Sequence, residues 1–271
     1  MSNLQLRIVS ALILIAVVLA LTIVGGVAFR AFVGAMALAI FYEWATMTGL
    51  ARERAALAIN VVLLLIPLAL LLGGLGAMTV FGAALFAIVA SLVLALLLRQ
   101  VRTGPLGIAY AALPAIALAF IRGNDTPGLV ATLFLFAVVW ATDIFAYFVG
   151  RAVGGPKLAP AISPGKTWSG AVGGMLCALA AGWAVAALAG APTGLVLIAT
   201  VALLSIVSQV GDLFESAVKR RCGVKDSSNL IPGHGGVMDR VDGLVAAALG
   251  LYVIGWLMSG PDAPSSGLFG M

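Results

Sequence analysis

The chain has 271 residues, 63% hydrophobic and 9% charged, with a net charge of +5 and a mean hydropathy of +1.18. A water-soluble domain carries charge on roughly a quarter of its residues, so this composition excludes one and leaves a single integral membrane domain. One histidine and two cysteines, one cysteine in an apolar run and the other in a basic loop, exclude a zinc cluster and a disulfide framework.

Nine hydrophobic segments follow in chain order, at about 8–28, 32–50, 56–73, 77–98, 106–121, 128–149, 170–190, 193–212 and 243–259. Most approach the ~20 residues needed to cross a hydrocarbon core. The first run exceeds a signal-peptide core of about 7–15 residues and lacks a convincing cleavage site, so it is read as a retained span. The segment at 106–121 is short and carries Pro114. The expected architecture is all-α, with about nine transmembrane helices. Five lie in 1–122, a C-terminal catalytic region occupies 123–260 with cytoplasmic loops at 150–170 and 212–242, and 261–271 forms a flexible tail.

With Arg7 in the cytoplasm and the spans alternating, every Lys and Arg except Arg30 and Arg122 falls on the cytoplasmic side. This bias places the N-terminus inside and the C-terminus outside. The same topology brings Glu43, Asp143, Asp212 and Asp239 toward the cytoplasmic leaflet. Any one of them could pair with a nearby arginine within the bundle, Glu43 most readily. Four acids at one depth instead point to a shared polar site. Carboxylates together require cations, and oxygen-only ligands suit Mg²⁺.

The long loop beside these acids is basic, with Lys219, Arg220, Arg221 and Lys225 close together. If the helix continues past Asp212, then Asp212, Glu215, Ser216 and Lys219 share one face. Such a cluster can simply anchor anionic headgroups. Here, however, Gly233, Gly235 and Gly236 flank His234 just before a helix start, where backbone N–H groups bind phosphate. Acids, bases and this turn together predict phosphoryl chemistry at the membrane surface. Gly165-Lys166-Thr167 looks like the end of a P-loop. Its required first glycine is Pro160, and no preceding strand is expected, so it is read as a basic loop.

The run from Ser216 to Asp242 resembles the signature of the phosphatidate cytidylyltransferase (CDP-diacylglycerol synthase) family. Ser216, Val218, Lys219, Arg220, Lys225, Asp226, Ser228, Ile231, Pro232, His234, Gly235, Gly236, Val237, Asp239, Arg240, Val241 and Asp242 fill its fixed places. Upstream, TDIFAYFVGRAVG and ISPGKTWSG are similar to two further family segments, with Ser169 where a glutamate is usual.

The resemblance implies transfer of a cytidylyl group from CTP to phosphatidic acid with Mg²⁺, and a monovalent cation such as K⁺ beside it. It also implies a homodimer in the bacterial inner membrane, multi-pass, with the site facing the cytoplasm and no nucleic-acid partner. Asp212 and Asp239 are the implied metal ligands, and Lys219, Arg220, Lys225 and Arg240 would neutralise phosphate charge. Asp226 either binds metal or orients Lys225. His234 hydrogen-bonds a phosphate, shuttles a proton or, as lone histidines often do, serves the structure alone, and Asp242 supports the site. Asp143, Ser163, Lys166, Thr167, Ser216, Gly235 and Gly236 are the implied substrate-binding residues.

The same chemistry on an isoprenoid ether lipid remains an alternative, since the headgroup motif says nothing of the tails. An ion-coupled transporter is disfavoured, because no inverted repeat and no acid in the outer half of a span is evident. The D-G-x-x-A-R run of CDP-alcohol phosphotransferases is missing. The topology predicts that a reporter enzyme active only in the cytoplasm is silent when fused after Met271. Reporter activity at that position would reverse the assignment.

Overall fold

The computed structural model describes residues 3–98, 102–231 and 233–270; Arg99 and Pro232 lie outside the described residues, as does the side chain of Arg7. Among the described residues each expected span is a helix: α1 (Asn3–Val24), α2 (Gly26–Met47), α3 (Arg54–Leu72), α4 (Ala77–Leu97), α5 (Gly104–Arg122), α6 (Thr126–Val153), α7 (Trp168–Leu188), α8 (Leu195–Arg221) and α9 (Met238–Ser259). A short α10 (Ser266–Phe269) follows, and a pair of strands, β1 (Lys157–Ala159) and β2 (Ser163–Thr167), precedes α7. Helices α2 to α9 are long and apolar enough to cross a membrane, whereas the apolar stretch described in α1, Val9–Val24, is shorter.

The surface of these helices is made for lipid. Leu257 is 81% exposed and Leu97 is 73% exposed, exposures that water would penalise and hydrocarbon does not. Lipid supplies no hydrogen bonds, so polar groups must be satisfied within the protein. Inside α3, buried Asn60 donates Nδ2–H to Ala56 O at 2.8 Å and accepts from Ser91 Oγ of α4 at 2.5 Å. Arg30 donates to Leu71 O at 3.2 Å, covering a carbonyl at the end of α3. Asp125 caps α6 by accepting from Gly128 N at 2.9 Å. The short, Pro114-bearing fifth segment is α5, and 72% of its apolar stretch is buried inside the protein. A helix so enclosed need not be as hydrophobic as one bathed in lipid.

The chain sorts into two compact units, Met1–Ala119 with Cys222–Val241, and Phe120–Arg221 with Asp242–Met271. In the first, Trp44 of α2 stacks on Tyr110 of α5, with ring centroids 5.7 Å apart. Its Nε1–H reaches Thr103 O at 3.0 Å. In the second, α6 and α7 pack through small residues. A Cβ on Gly174 would run into Thr142 O and Ala146, so glycine there permits the close backbone approach that holds helices together without a hydrophobic driving force.

Four features differ from the sequence reading. The expectation of no strand fails, because β1 and β2 form an antiparallel hairpin with Lys157 opposite Thr167 and Ala159 opposite Ser163. Pairing these strands satisfies backbone groups in the loop between α6 and α7. Helix α8 runs on to Arg221, supported by the i,i+4 pair Glu215–Lys219 and by basic residues in its last turn. Helix α9 begins at Met238, directly after the glycine turn and with Asp239 in its first turn as expected, although its apolar segment was marked only from about 243. The expected loose tail is packed in the second unit: Phe269 is fully buried, its ring 5.0 Å from that of Phe134. Tyr252 also donates to Pro261 O at 3.1 Å, and Ser265 donates to Ile121 O. The apolar Leu268 and Phe269 drive this docking, which the polar residues before them concealed.

Truncating Phe269 to alanine should therefore remove a buried ring and lower stability by about 3 kcal/mol. Thermal denaturation of the purified protein in detergent would measure it. A parental melting temperature would show that the tail is not docked.

Candidate active site

In the second unit the site residues gather around the end of α8. Asp212, Glu215, Ser216 and Lys219 share one helical face, as expected if α8 continued. Lys166, carried by β2, places Nζ 2.5 Å from Asp212 Oδ2. Ser216 Oγ donates to Asp212 Oδ1 at 3.3 Å. One turn on, fully buried Glu215 holds Lys219 Nζ at 2.9 Å. Arg220 Nε donates to Ile162 O at 3.4 Å, tying α8 to the hairpin turn. Asp143 on α6 and Asp242 on α9 act electrostatically on Asp212's surroundings, and Lys166 offsets both. Three carboxylates from three helices thus share one field, moderated by Lys166 and Lys219.

Thr167 is buried and accepts from Gly170 N at 3.1 Å, so its hydroxyl caps α7. Ser169, at the glutamate position of the related segment, donates to Gly154 O and lies 3.1 Å from Thr167 Oγ1. This short side chain closes the base of the hairpin onto the end of α6, where a glutamate would project further. Ser163 sits at the other end of β2, half-buried.

In the first unit the glycine turn leads directly into α9. Ile231 and Gly235 pair as an isolated bridge, Ile231 N donating to Gly235 O at 2.8 Å. Gly235 has φ +82°, a left-handed conformation that side chains resist. His234 Nδ1 is 2.9 Å from Ser10 Oγ of α1, which orients the ring and leaves Nε2 as its other polar atom. Asp239 Oδ2 accepts three hydrogen bonds at 2.9 Å, from Ser227 N, Ser227 Oγ and Gly236 N. Lys225, Asp226 and Arg240 are exposed.

Three of these residues have partners that the sequence did not show. Glu43 was counted among four acids pointing to a shared polar site, or as pairing within the bundle, but its partners were not foreseen. It is fully buried and accepts from Ser228 Oγ at 2.6 Å, Met238 N at 2.7 Å, Val237 N at 2.8 Å and Ser227 Oγ at 3.1 Å. Ser227 was passed over as an ordinary loop serine. Glu215 was placed on a face but given no role. A charge in an apolar run was the available signal for Glu43; for Ser227 there was none.

Among the described residues no three His, Cys, Asp or Glu side chains stand close enough to enclose a metal ion alone. The donor set still fits Mg²⁺, which retains waters and takes substrate oxygens alongside one or two carboxylates. Asp212 already holds a cationic group, Lys166. Neither cysteine is in a disulfide.

Residues 5–258 match the cytidylyltransferase family. A protein from Brucella suis named phosphatidate cytidylyltransferase is 48% identical, over 99% of this chain and 99% of its own. One of the same name from Pseudomonas aeruginosa is 37% identical, covering 93% of this chain and 98% of its own. Another from Bacillus subtilis is 42% identical over 49% of this chain and 50% of its own.

The Glu215–Lys219 pair yields a prediction. Glu215→Ala strands a largely buried ammonium and should lower stability by about 3 kcal/mol, whereas Glu215→Leu with Lys219→Met should largely restore it. Denaturation midpoints of the three proteins decide. Equal stability of Glu215→Ala and the parent would show that the pair is not buried.

Proposed function

This chain belongs to the cytidylyltransferase family, and we propose that it transfers the cytidylyl group of CTP to phosphatidate, forming CDP-diacylglycerol and releasing pyrophosphate. The observation that carries this reading is the near full-length match to proteins named phosphatidate cytidylyltransferase. A lipid phosphate oxygen attacks the α-phosphorus of CTP, the bond from that phosphorus to the bridging oxygen of the β-phosphate breaks, and pyrophosphate leaves. The lipid phosphate is already anionic near neutral pH, its second pKa lying near ~6 by analogy with phosphoamino acids. No strong general base is required, and the task is to position two anions against their mutual repulsion.

The chain's own residues suit that task. Lys219 is held by Glu215 and presents a fixed positive charge, while exposed Arg220, Lys225 and Arg240 neutralise phosphate oxygens. Lys166 brings a further charge from the hairpin. His234, oriented through Nδ1, offers Nε2 to a phosphate. Gly235 gives the turn its left-handed bend, while Gly236, expected to bind substrate, instead makes room for Ser227 and Glu43 and donates its N–H to Asp239. Mg²⁺, assigned to Asp212 and Asp239 on the resemblance of their segments, would supply charge neutralisation at the transferred phosphate and the leaving pyrophosphate. Asp143 and Asp242 add negative charge around Asp212.

In this proposal nine spans, α1 included, cross a bacterial inner membrane, with the N-terminus in the cytoplasm, the C-terminus outside and the site facing the cytoplasm. The resemblance adds a homodimer and K⁺ beside Mg²⁺. CTP is a soluble nucleotide and the lipid phosphate lies at the leaflet surface, so a site at that surface meets both.

Purified protein in phosphatidate-containing micelles should release pyrophosphate only when CTP, phosphatidate and Mg²⁺ are all present. Release without the lipid would refute the assignment. Asp239→Asn should reduce turnover to background while the protein still inserts. Lys219→Ala should lower kcat/KM by about 10–100-fold, the worth of a charge-assisted hydrogen bond.

A further inference from the structure

Glu43 lies in α2, far in sequence from every residue assigned to the chemistry. It is fully buried, and a carboxylate buried without partners is strongly unfavourable. Four donors answer it, and all come from one short region, residues 227–238. Oε1 accepts from Ser228 Oγ and Val237 N, and Oε2 accepts from Met238 N and Ser227 Oγ. A carboxylate offers about four lone-pair positions, so these donors fill it. Two of them are amides at the start of α9, where the helix dipole favours negative charge.

Asp239 accepts from Gly236 N, three residues back, which folds the glycine turn onto the first turn of α9 but leaves the amides of Val237 and Met238 to Glu43. Glu43 therefore supplies acceptors for the start of α9 and also attaches that turn to α2. The two carboxylates are also linked, since the Ser227 hydroxyl lies 3.1 Å from Glu43 Oε2 and 2.9 Å from Asp239 Oδ2. One hydroxyl hydrogen serves both oxygens. The packing is tight, because a Cβ on Gly236 would overlap Ser227 Oγ and the Glu43 carboxylate.

We propose that Glu43 is a positioning residue for cytidylyl transfer, holding the Ser227–Ser228 turn and the first turn of α9 so that Asp239 points in its working direction. The proposal rests on the reading of Asp239 as part of the site. Glu43 touches neither substrate nor reacting atoms in this scheme. It acts through Ser227 and the amides of Val237 and Met238. Its charge, and not only its volume, carries the effect, because an amide in its place would turn an N–H donor toward donors.

The test compares full-length parent, Glu43→Gln, Ser227→Ala, Ser228→Ala and the double variant Glu43→Gln/Ser227→Ala in phosphatidate-containing micelles. A displacement of about 1 Å costs roughly 10²-fold in rate, so Glu43→Gln should lose about that factor in kcat, with KM for CTP little changed. Amide exchange should quicken within residues 227–239 and stay at parental rates in α3 and α4. The double variant should be no slower than the slower single variant, because both act on one linkage. Parental kcat in Glu43→Gln, exchange in 227–239 equal to the parent, or single losses that multiply in the double variant would each overturn the proposal. If Glu43→Gln fails to fold, Ser228→Ala, which keeps the carboxylate and removes one donor, decides; it should lose about tenfold in kcat, and parental kcat overturns the proposal. A parent that makes no CDP-diacylglycerol refutes the assigned reaction instead, and the exchange data then still report on Glu43's hold over the turn.

Discussion

A hydrocarbon layer offers no hydrogen bonds, and every polar group this chain places within it must find a partner in the protein. That constraint explains more of the structure than any single contact. It accounts for helices through all the apolar runs and for Asn60 bonded within α3 and to Ser91. It accounts equally for Ser265 of the tail reaching back to Ile121 O. It also governs the charged residues: Glu43 has four donors, Asp212 has Lys166, and Glu215 has Lys219.

Each of these arrangements fixes a charge in place. Lys219 is held by a buried glutamate one turn back on the same helix. Lys166 reaches Asp212 from a hairpin, so the position of a carboxylate on a rigid helix is coupled to a short two-stranded element. Asp239 keeps its direction through the backbone of Ser227 and Gly236. The fold thus places charge by satisfying its own buried groups.

Much of this was legible in the sequence. The apolar runs gave the helices, because length and composition are local properties. The face shared by Asp212, Glu215, Ser216 and Lys219 followed from helical periodicity once α8 was allowed to continue. The hairpin was not legible: SPGKT has a proline, a glycine and a lysine where strand-formers are usual, and its pairing depends on the turn. The tail was misread because its polar start hid Leu268 and Phe269. The partners of Glu43 were beyond reach, since donor and acceptor lie 184 to 195 residues apart and no spacing rule spans that distance. Ser227 was hidden for the same reason, as it matters only through what it meets in space.

That separation has a consequence for how the protein is made. A bacterial or eukaryotic ribosome adds about 5–20 residues per second, so Glu43 is synthesised roughly 10–40 s before Ser227, the first of its partners. During that interval α2 is already long enough to enter the bilayer while its carboxylate has none of its final donors. The chain must carry it near the headgroups or beside water until the other end of its hydrogen-bond network emerges. Insertion of the early spans and completion of the first unit are therefore distinct events in the life of the nascent chain. The second waits on α8 and the turn before α9, which makes this unit late to close although it begins first.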